Sequence, residues 1–188
     1  GQLVVVHRAA DGWVHPATNE LFVADGYGNH RVIVYDADTG AFKRMWGAFS
    51  NKPVDKDDCE IQRYTNFSDP GPDQFSIVHG LRVAKDGMVY VADREYRRVQ
   101  MFSSDGKFIK EMDCHQRKIN VATFLPNGHL LTASSDSAVV EWNLDTGKEP
   151  PQGVRAFKHD DRVVGMDLSP DGRLLVTAAD SLHDNVLL

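Results

Sequence analysis

The chain has 188 residues, 41% of them apolar and 26% charged, enough for a sizeable core and ordinary for a water-exposed domain. A net charge of −6 argues against a general binder of nucleic acid or acidic membranes, which needs basic surface to displace counterions. No apolar run approaches the roughly 18–20 residues that cross a bilayer, and no signal peptide is evident; Gly1 is read as a remnant of processing or cloning.

In chain order the first apolar segment is GQLVVVHR, a strand standing alone before any repeat. One pattern then recurs four times: an apolar stretch, a turn, an apolar strand, a polar turn, a third strand and a closing Gly turn. The copies are ADGWVHPATNELFVADGYGNHRVIVYDADTG, HGLRVAKDGMVYVADREYRRVQMFSSDG, NVATFLPNGHLLTASSDSAVVEWNLDTG and VVGMDLSPDGRLLVTAADSLHDNVLL. Their first turns sit at Thr18-Asn19, Asp86-Gly87, Asn127-Gly128 and Asp171-Gly172. The last three are about 41–44 residues apart, the period of four-stranded propeller blades. The first interval is longer by about 27 residues, which one insertion explains.

The runs are short and β-branched, as in Leu21–Ala24, Arg31–Tyr35 and Met88–Ala92, and Gly, Pro, Asn and Asp punctuate them. No stretch keeps a helical period. Outer strands are expected at Phe42–Trp46, Lys107–Glu111 and roughly Val154–Lys158. The fourth copy stops at Leu188 within its third strand, so residues 1–9 are expected to complete the last blade as its outer strand. The fold class that follows is all-β: a β-propeller of four four-stranded blades in a single domain over residues 1–188. Residues 48–75 form a polar, Asp- and Pro-rich insertion, either a binding loop over one end of the propeller or a tolerated surface loop.

Residues Val23–Asp36 (VADGYGNHRVIVYD) and Val78–Phe102 each place an Asp after the second strand and an Arg before the third. Residues 10–113 thereby resemble NHL-type propeller repeats, and in particular amidating lyases that cleave peptidyl-α-hydroxyglycine with a zinc held by three histidines. The resemblance maps onto Tyr27, His79 and Arg94, of which His79 alone matches a ligand position. Without a matching set, no metal or cofactor is expected, and lyase activity is the lesser reading. The structural reading has Tyr27 packed, Arg94 paired with Asp93 or Asp25, His79 lining the channel and His30 in an ordinary turn.

Residues 114–188 resemble WD repeats instead. His115, Thr132, Asp136 and Trp142 stand at the positions of that family's hydrogen-bonded set, and His159, Thr177 and Asp184 repeat three of them. The Gly-His pair is missing and Asn143 replaces the usual Asp after the Trp. The role the resemblance implies is structural. A change of repeat type near residue 114 has two explanations, a natural mixed propeller or a piece of a larger one, and an engineered chimera of half-propellers, with the seam, the abrupt ends and Gly1 favouring the second.

No P-loop, nucleophile elbow or dinucleotide fingerprint is present. Ser134 and Ser135 lack an evident base, and Asp57-Asp58 and Asp160-Asp161 read as solvated loop charges. Arg94, Arg97 and Arg98 are too few to offset the acidic total, and Trp13, Trp46 and Trp142 are expected to pack between strands or blades. Cys59 and Cys114 pair only if the insertion folds back; two free thiols are the plainer reading. The sequence points to a binding or scaffold module without catalysis, its partner a protein or peptide. Blades of these types suit wider rings than four, so two chains are expected to join head to tail as an eight-bladed homodimer.

Overall fold

The computed structural model describes residues 4–54, 72–113, 115–144 and 153–180, with the backbone alone for Val154 and Arg155. The chain divides into two compact units, Gly1–Glu111 and Met112–Leu188, beside the point where the repeat type changes.

The described residues form antiparallel sheets built from consecutive strands. The first contains β1 (Asp11–His15), β2 (Glu20–Asp25), β3 (Arg31–Asp36) and β4 (Phe42–Trp46). The second contains β5 (Val78–Val83), β6 (Val89–Asp93), β7 (Arg98–Phe102) and β8 (Phe108–Asp113), and the third β9 (Ile119–Phe124), β10 (Leu130–Ser134), β11 (Ala138–Trp142) and β12 (Gly153–Lys158). A fourth sheet has two described strands, β13 (Val163–Leu168) and β14 (Leu175–Ala179). This is the all-β propeller architecture that the repeat period implies, and the outer strands expected at Phe42–Trp46, Lys107–Glu111 and Val154–Lys158 are present as β4, β8 and β12 within a few residues of those ends. The third strand of the last copy, with Asp184, lies outside the described residues.

The turns confirm the register of the repeats. Asn19 has φ 52°, and Gly87, Gly128 and Gly172 have φ values of 86°, 87° and 69°, the left-handed backbone that explains Asn and Gly at these points. One short helix, α1 (Gly26–Asn29), occupies the turn between β2 and β3.

In the N-terminal unit two sheets enclose one core. Phe22, Ala24, Val32, Val34 and Trp46 meet Val78, Leu81, Val83, Val89, Val91 and Phe102. Each large apolar side chain so buried contributes about 1.5–3 kcal/mol relative to exposure. Trp46 stands edge-on to Phe22 at 6.5 Å and tilted against Phe102 at 5.8 Å. In the C-terminal unit Leu131, Ala133 and Val139 pack with Val163, flanked by Met166, Leu168 and Leu175.

Residues 4–10 are irregular rather than a strand. Their polar main chain is taken up by side chains of the first sheet: Arg31 Nη2 donates to the Val5 carbonyl at 2.9 Å and Tyr35 Oη to the Val4 carbonyl at 3.1 Å. The expected closure of the last blade by residues 1–9 falls partly on residues 1–3 and on the 181–188 segment, which lie outside the described residues. Trp13 departs from expectation as well, being 36% exposed, whereas Trp46 and Trp142 are buried.

Candidate functional site

An Asp ends the second strand of both sheets of the N-terminal unit, and its carboxylate turns toward the chain entering that sheet. Asp25 Oδ1 accepts the His7 N–H at 2.8 Å, while Oδ2 accepts Arg31 Nε at 3.1 Å and Asn29 Nδ2 at 2.7 Å. Asp93 Oδ1 accepts the N–H groups of Ser76 and Ile77 at 3.0 and 3.2 Å, while Oδ2 accepts Arg98 Nε at 3.0 Å. Arg98 also donates to the carbonyls of Pro72 and Gln74, as Arg31 does to Val5. These buried ion pairs therefore hold backbone as well as each other, which offsets much of their desolvation. Burial still pushes the Asp93 carboxyl up to about 6, against the pull of Arg98 and the two N–H groups.

The arginines serving Asp25 and Asp93 are thus Arg31 and Arg98. Arg94, expected beside one of these carboxylates, pairs instead with Glu95 at 2.6 Å. The short turn from Asp93 to Arg98 leaves Arg98, the first residue of β7, facing the buried carboxylate.

Of the three lyase-matched residues, Tyr27 and His79 come together. Their rings lie 5.8 Å apart, edge to face, where α1 meets the start of β5. Gly26 makes that approach possible, since a Cβ there would strike the Val78 carbonyl. Tyr27 is 37% exposed, so the pair presents an aromatic surface at this end of the unit. Arg94 has its own N–H on the Ile77 carbonyl at 2.9 Å, which places its backbone beside the same strand end.

A zinc would need about three convergent ligands. Among the described residues no three His, Cys, Asp or Glu groups are placed to hold a metal. His30 Nδ1 is engaged by the Ser76 carbonyl and His15 Nδ1 by Thr18 Oγ1, and neither ring is grouped with His79 in a metal-holding set among the described residues. The described residues do not fit the ion.

In the C-terminal unit the expected set assembles. Asp136 Oδ2 faces His115 Nδ1 at 3.0 Å, His115 Nε2 meets Thr132 Oγ1 at 2.8 Å, and Trp142 Nε1 donates to Thr132 Oγ1 at 2.7 Å. With its Nδ1 proton directed at Asp136, His115 accepts the Thr132 hydroxyl proton, and every member has a partner. Asp136 also accepts the Gln116 N–H at 2.9 Å. Burial pushes the His115 pKa down, so the neutral ring is favoured. Burial works against ionisation of Asp136, yet His115 and the Gln116 N–H hold its carboxyl below the usual range. The fourth copy repeats one link, His159 Nε2 to Thr177 Oγ1 at 3.1 Å.

Ser134 Oγ donates to the Arg117 carbonyl at 3.2 Å, and Ser135 Oγ accepts Asn120 Nδ2 at 3.0 Å. Both serines therefore serve the turn. Asp57, Asp58, Cys59 and Cys114 lie outside the described residues.

Two arrangements had no sequence signal. Asp11 Oδ2 accepts the Leu81 N–H at 3.0 Å and Arg82 Nη1 at 2.5 Å, with the guanidinium 5.1 Å from the Trp13 ring centre. Buried Gln100 bridges the Phe49 N–H and Glu111 at 3.0 and 2.7 Å. Their partners are distant in sequence, with no repeat to pair them.

Comparison with known proteins matches residues 106–143 and 152–185 to the WD40 family (WD domain, G-beta repeat). Each match starts near an outer strand, β8 or β12, and runs into the following copy. The chain is also 34% identical over 128 residues to peptidyl-glycine alpha-amidating monooxygenase A of Xenopus laevis, covering 65% of this chain and 12% of that protein. Form B of the same species is 34% identical over 128 residues, with 65% and 13% covered. The Rattus norvegicus peptidylglycine alpha-amidating monooxygenase is 35% identical over 107 residues, with 56% and 9% covered. The chain thus spans at most 13% of the length of these relatives.

Proposed function

We propose that the chain is a propeller-type binding module that performs no chemistry of its own and takes a protein or peptide as partner. The observation that carries this reading is the employment of the repeated polar residues. Asp25, Asp93, Asp136, Arg31, Arg98, His115, Thr132 and Trp142 all hold strands or incoming chain. What faces solvent at the lyase-matched positions is the Tyr27–His79 aromatic pair. An exposed Tyr beside a His suits recognition of an extended peptide, because the ring gives contact area at small entropic cost.

The second reading is a partial lyase of the kind that cleaves peptidyl-α-hydroxyglycine, supported by the Tyr27–His79 pair at the lyase-matched positions and by the likeness to proteins named for peptidyl-glycine amidation. One experiment addresses both. The full chain is offered a displayed peptide library and, separately, a peptide ending in α-hydroxyglycine, with and without added zinc. The module reading expects enrichment of one peptide class whose binding Tyr27→Ala abolishes without lowering the unfolding temperature. It expects no amide or glyoxylate beyond the protein-free control. Zinc-dependent glyoxylate release would overturn it in favour of the lyase; absence of any enriched class would overturn it outright.

Residues 1–188 as one propeller domain, with NHL-type blades up to residue 113, belong to the same proposal. So does origin as a chimera of two half-propellers, supported by the change of repeat type. Two chains would close an eight-bladed ring, and light scattering is expected to give twice the 21.0 kDa chain mass. The mass of one chain would end the dimer proposal.

A further inference from the structure

Three turns of this protein share one build. At Asp86-Gly87 the Gly87 N–H donates to the Ala84 carbonyl at 2.9 Å and Asp86 Oδ1 accepts the Met88 N–H at 3.0 Å. At Asp171-Gly172 the Gly172 N–H donates to the Ser169 carbonyl at 2.8 Å and Asp171 Oδ1 accepts the Arg173 N–H at 3.1 Å. At Asn127-Gly128 the Gly128 N–H donates to the Leu125 carbonyl at 2.9 Å and Asn127 Oδ1 accepts the His129 N–H at 3.0 Å. Two turns carry Asp and the third carries its amide. Among the asparagines of the chain, Asn127 alone precedes a glycine.

We propose that Asn127 is a site of spontaneous covalent modification, converted by its own turn to the Asp that the two sister turns already hold. The Gly128 main-chain nitrogen gives up its proton and attacks Asn127 Cγ. A new N–Cγ bond closes a five-membered imide, the bond from Cγ to the side-chain nitrogen breaks, and that nitrogen leaves as ammonia with the proton. Water then opens the imide. Attack at Cγ gives Asp; attack at the main-chain carbonyl gives isoaspartate. Water is the only co-reactant.

The turn favours this at three points. Residues 126–128 are exposed, and among the described residues nothing but the chain neighbours lies within 4 Å of where a Cβ on Gly128 would project, so the turn is open to solvent on that side. The His129 N–H already rests on Oδ1, where negative charge develops during attack, and so withdraws density from Cγ. The Gly128 N–H must leave the Leu125 carbonyl, a local opening within reach of an exposed turn.

The fold distinguishes the products. Asp keeps the bond to the His129 N–H, as Asp86 and Asp171 keep theirs, and adds one negative charge. Isoaspartate routes the main chain through Cγ, adding a methylene between residues that must stay in register. Leu125 N–H donates to the His129 carbonyl at 2.9 Å, and that bond closes β9 onto β10.

The test is peptide mapping by mass spectrometry of the full chain, aged at neutral and mildly alkaline pH. Replacement of amide by hydroxyl is expected at Asn127 about tenfold faster than at Asn120 or Asn143, and faster at the higher pH. Equal rates at the three sites would overturn the proposal. As a second arm, Asn127→Asp is expected to unfold at the parent's temperature and to show no mass change on ageing at this position. A lowered unfolding temperature for Asn127→Asp would overturn the claim that the turn accepts the product.

Discussion

In the N-terminal unit the chain entering each sheet is gripped by a buried Asp–Arg pair, Asp25–Arg31 or Asp93–Arg98; in the C-terminal unit Asp136 grips the Gln116 N–H but answers to His115. The carboxylate does the same work in both, accepting main-chain N–H groups that would otherwise be stranded. The counter-group differs. Arg is always charged and reaches carbonyls with its remaining donors, so the pair locks two stretches of backbone. His is neutral when buried, and passes the connection on to Thr132 and Trp142 across the sheet. One framework depends on an Asp–Arg ion pair and the other on a carboxylate joined through a neutral His to Thr and Trp, so substitution and pH should act on them differently.

The largest effect should come from Arg98→Met. It leaves Asp93 buried without its counter-ion and strands the Pro72 and Gln74 carbonyls, at a cost of about 3–5 kcal/mol in denaturant unfolding. Thr132→Val should cost less, about 1–3 kcal/mol, since it leaves the Trp142 N–H and His115 Nε2 without a partner but buries no lone charge. A loss from Thr132→Val equal to that from Arg98→Met would erase the proposed contrast. Gly26→Ala should also cost about 1–3 kcal/mol, because its Cβ meets the Val78 carbonyl, and it should widen the Tyr27–His79 contact.

Acidification should separate the units by sign. The folded pKa of His115 lies below 6.5, so its contribution is complete above that value and is lost as pH falls through the folded pKa. The folded pKa of Asp93 is raised from 3.8 to about 6, so its contribution is complete below 3.8 and is lost as pH rises through about 6. As pH falls from 7 through about 6, protection of β9–β11 in hydrogen exchange should weaken while that of β5–β7 holds or grows. The smallest effect should be at Arg44→Ala. Its bidentate pair with Glu20, at 2.7 and 2.6 Å, holds that carboxyl down at about 2 but is partly exposed, so about 1 kcal/mol or less is expected in a thermal scan.

The elements that repeat were readable in the sequence. Turn chemistry at Asp86-Gly87 or Asn127-Gly128 is local, and the His115, Thr132, Asp136, Trp142 set has a spacing of its own. The Asp–Arg pairs were half-legible: the two residue types were visible at fixed places, yet Arg94 drew attention where Arg98 does the work. Asp11–Arg82 and Gln100–Glu111 were not legible, because such contacts depend on packing between strands rather than on a local period. Val4–Val6 illustrates the remaining gap. Its β-branched run reads as a strand, but Arg31 and Tyr35 compete for its carbonyls, and no ladder forms there among the described residues.

The most direct test of two distinct frameworks is hydrogen exchange mapped by mass spectrometry on Arg98→Met and Thr132→Val beside the parent chain. The account predicts that Arg98→Met deprotects chiefly β5–β7 and the chain at 72–77, and that Thr132→Val deprotects chiefly β9–β11. The same pattern of lost protection in both variants would contradict it.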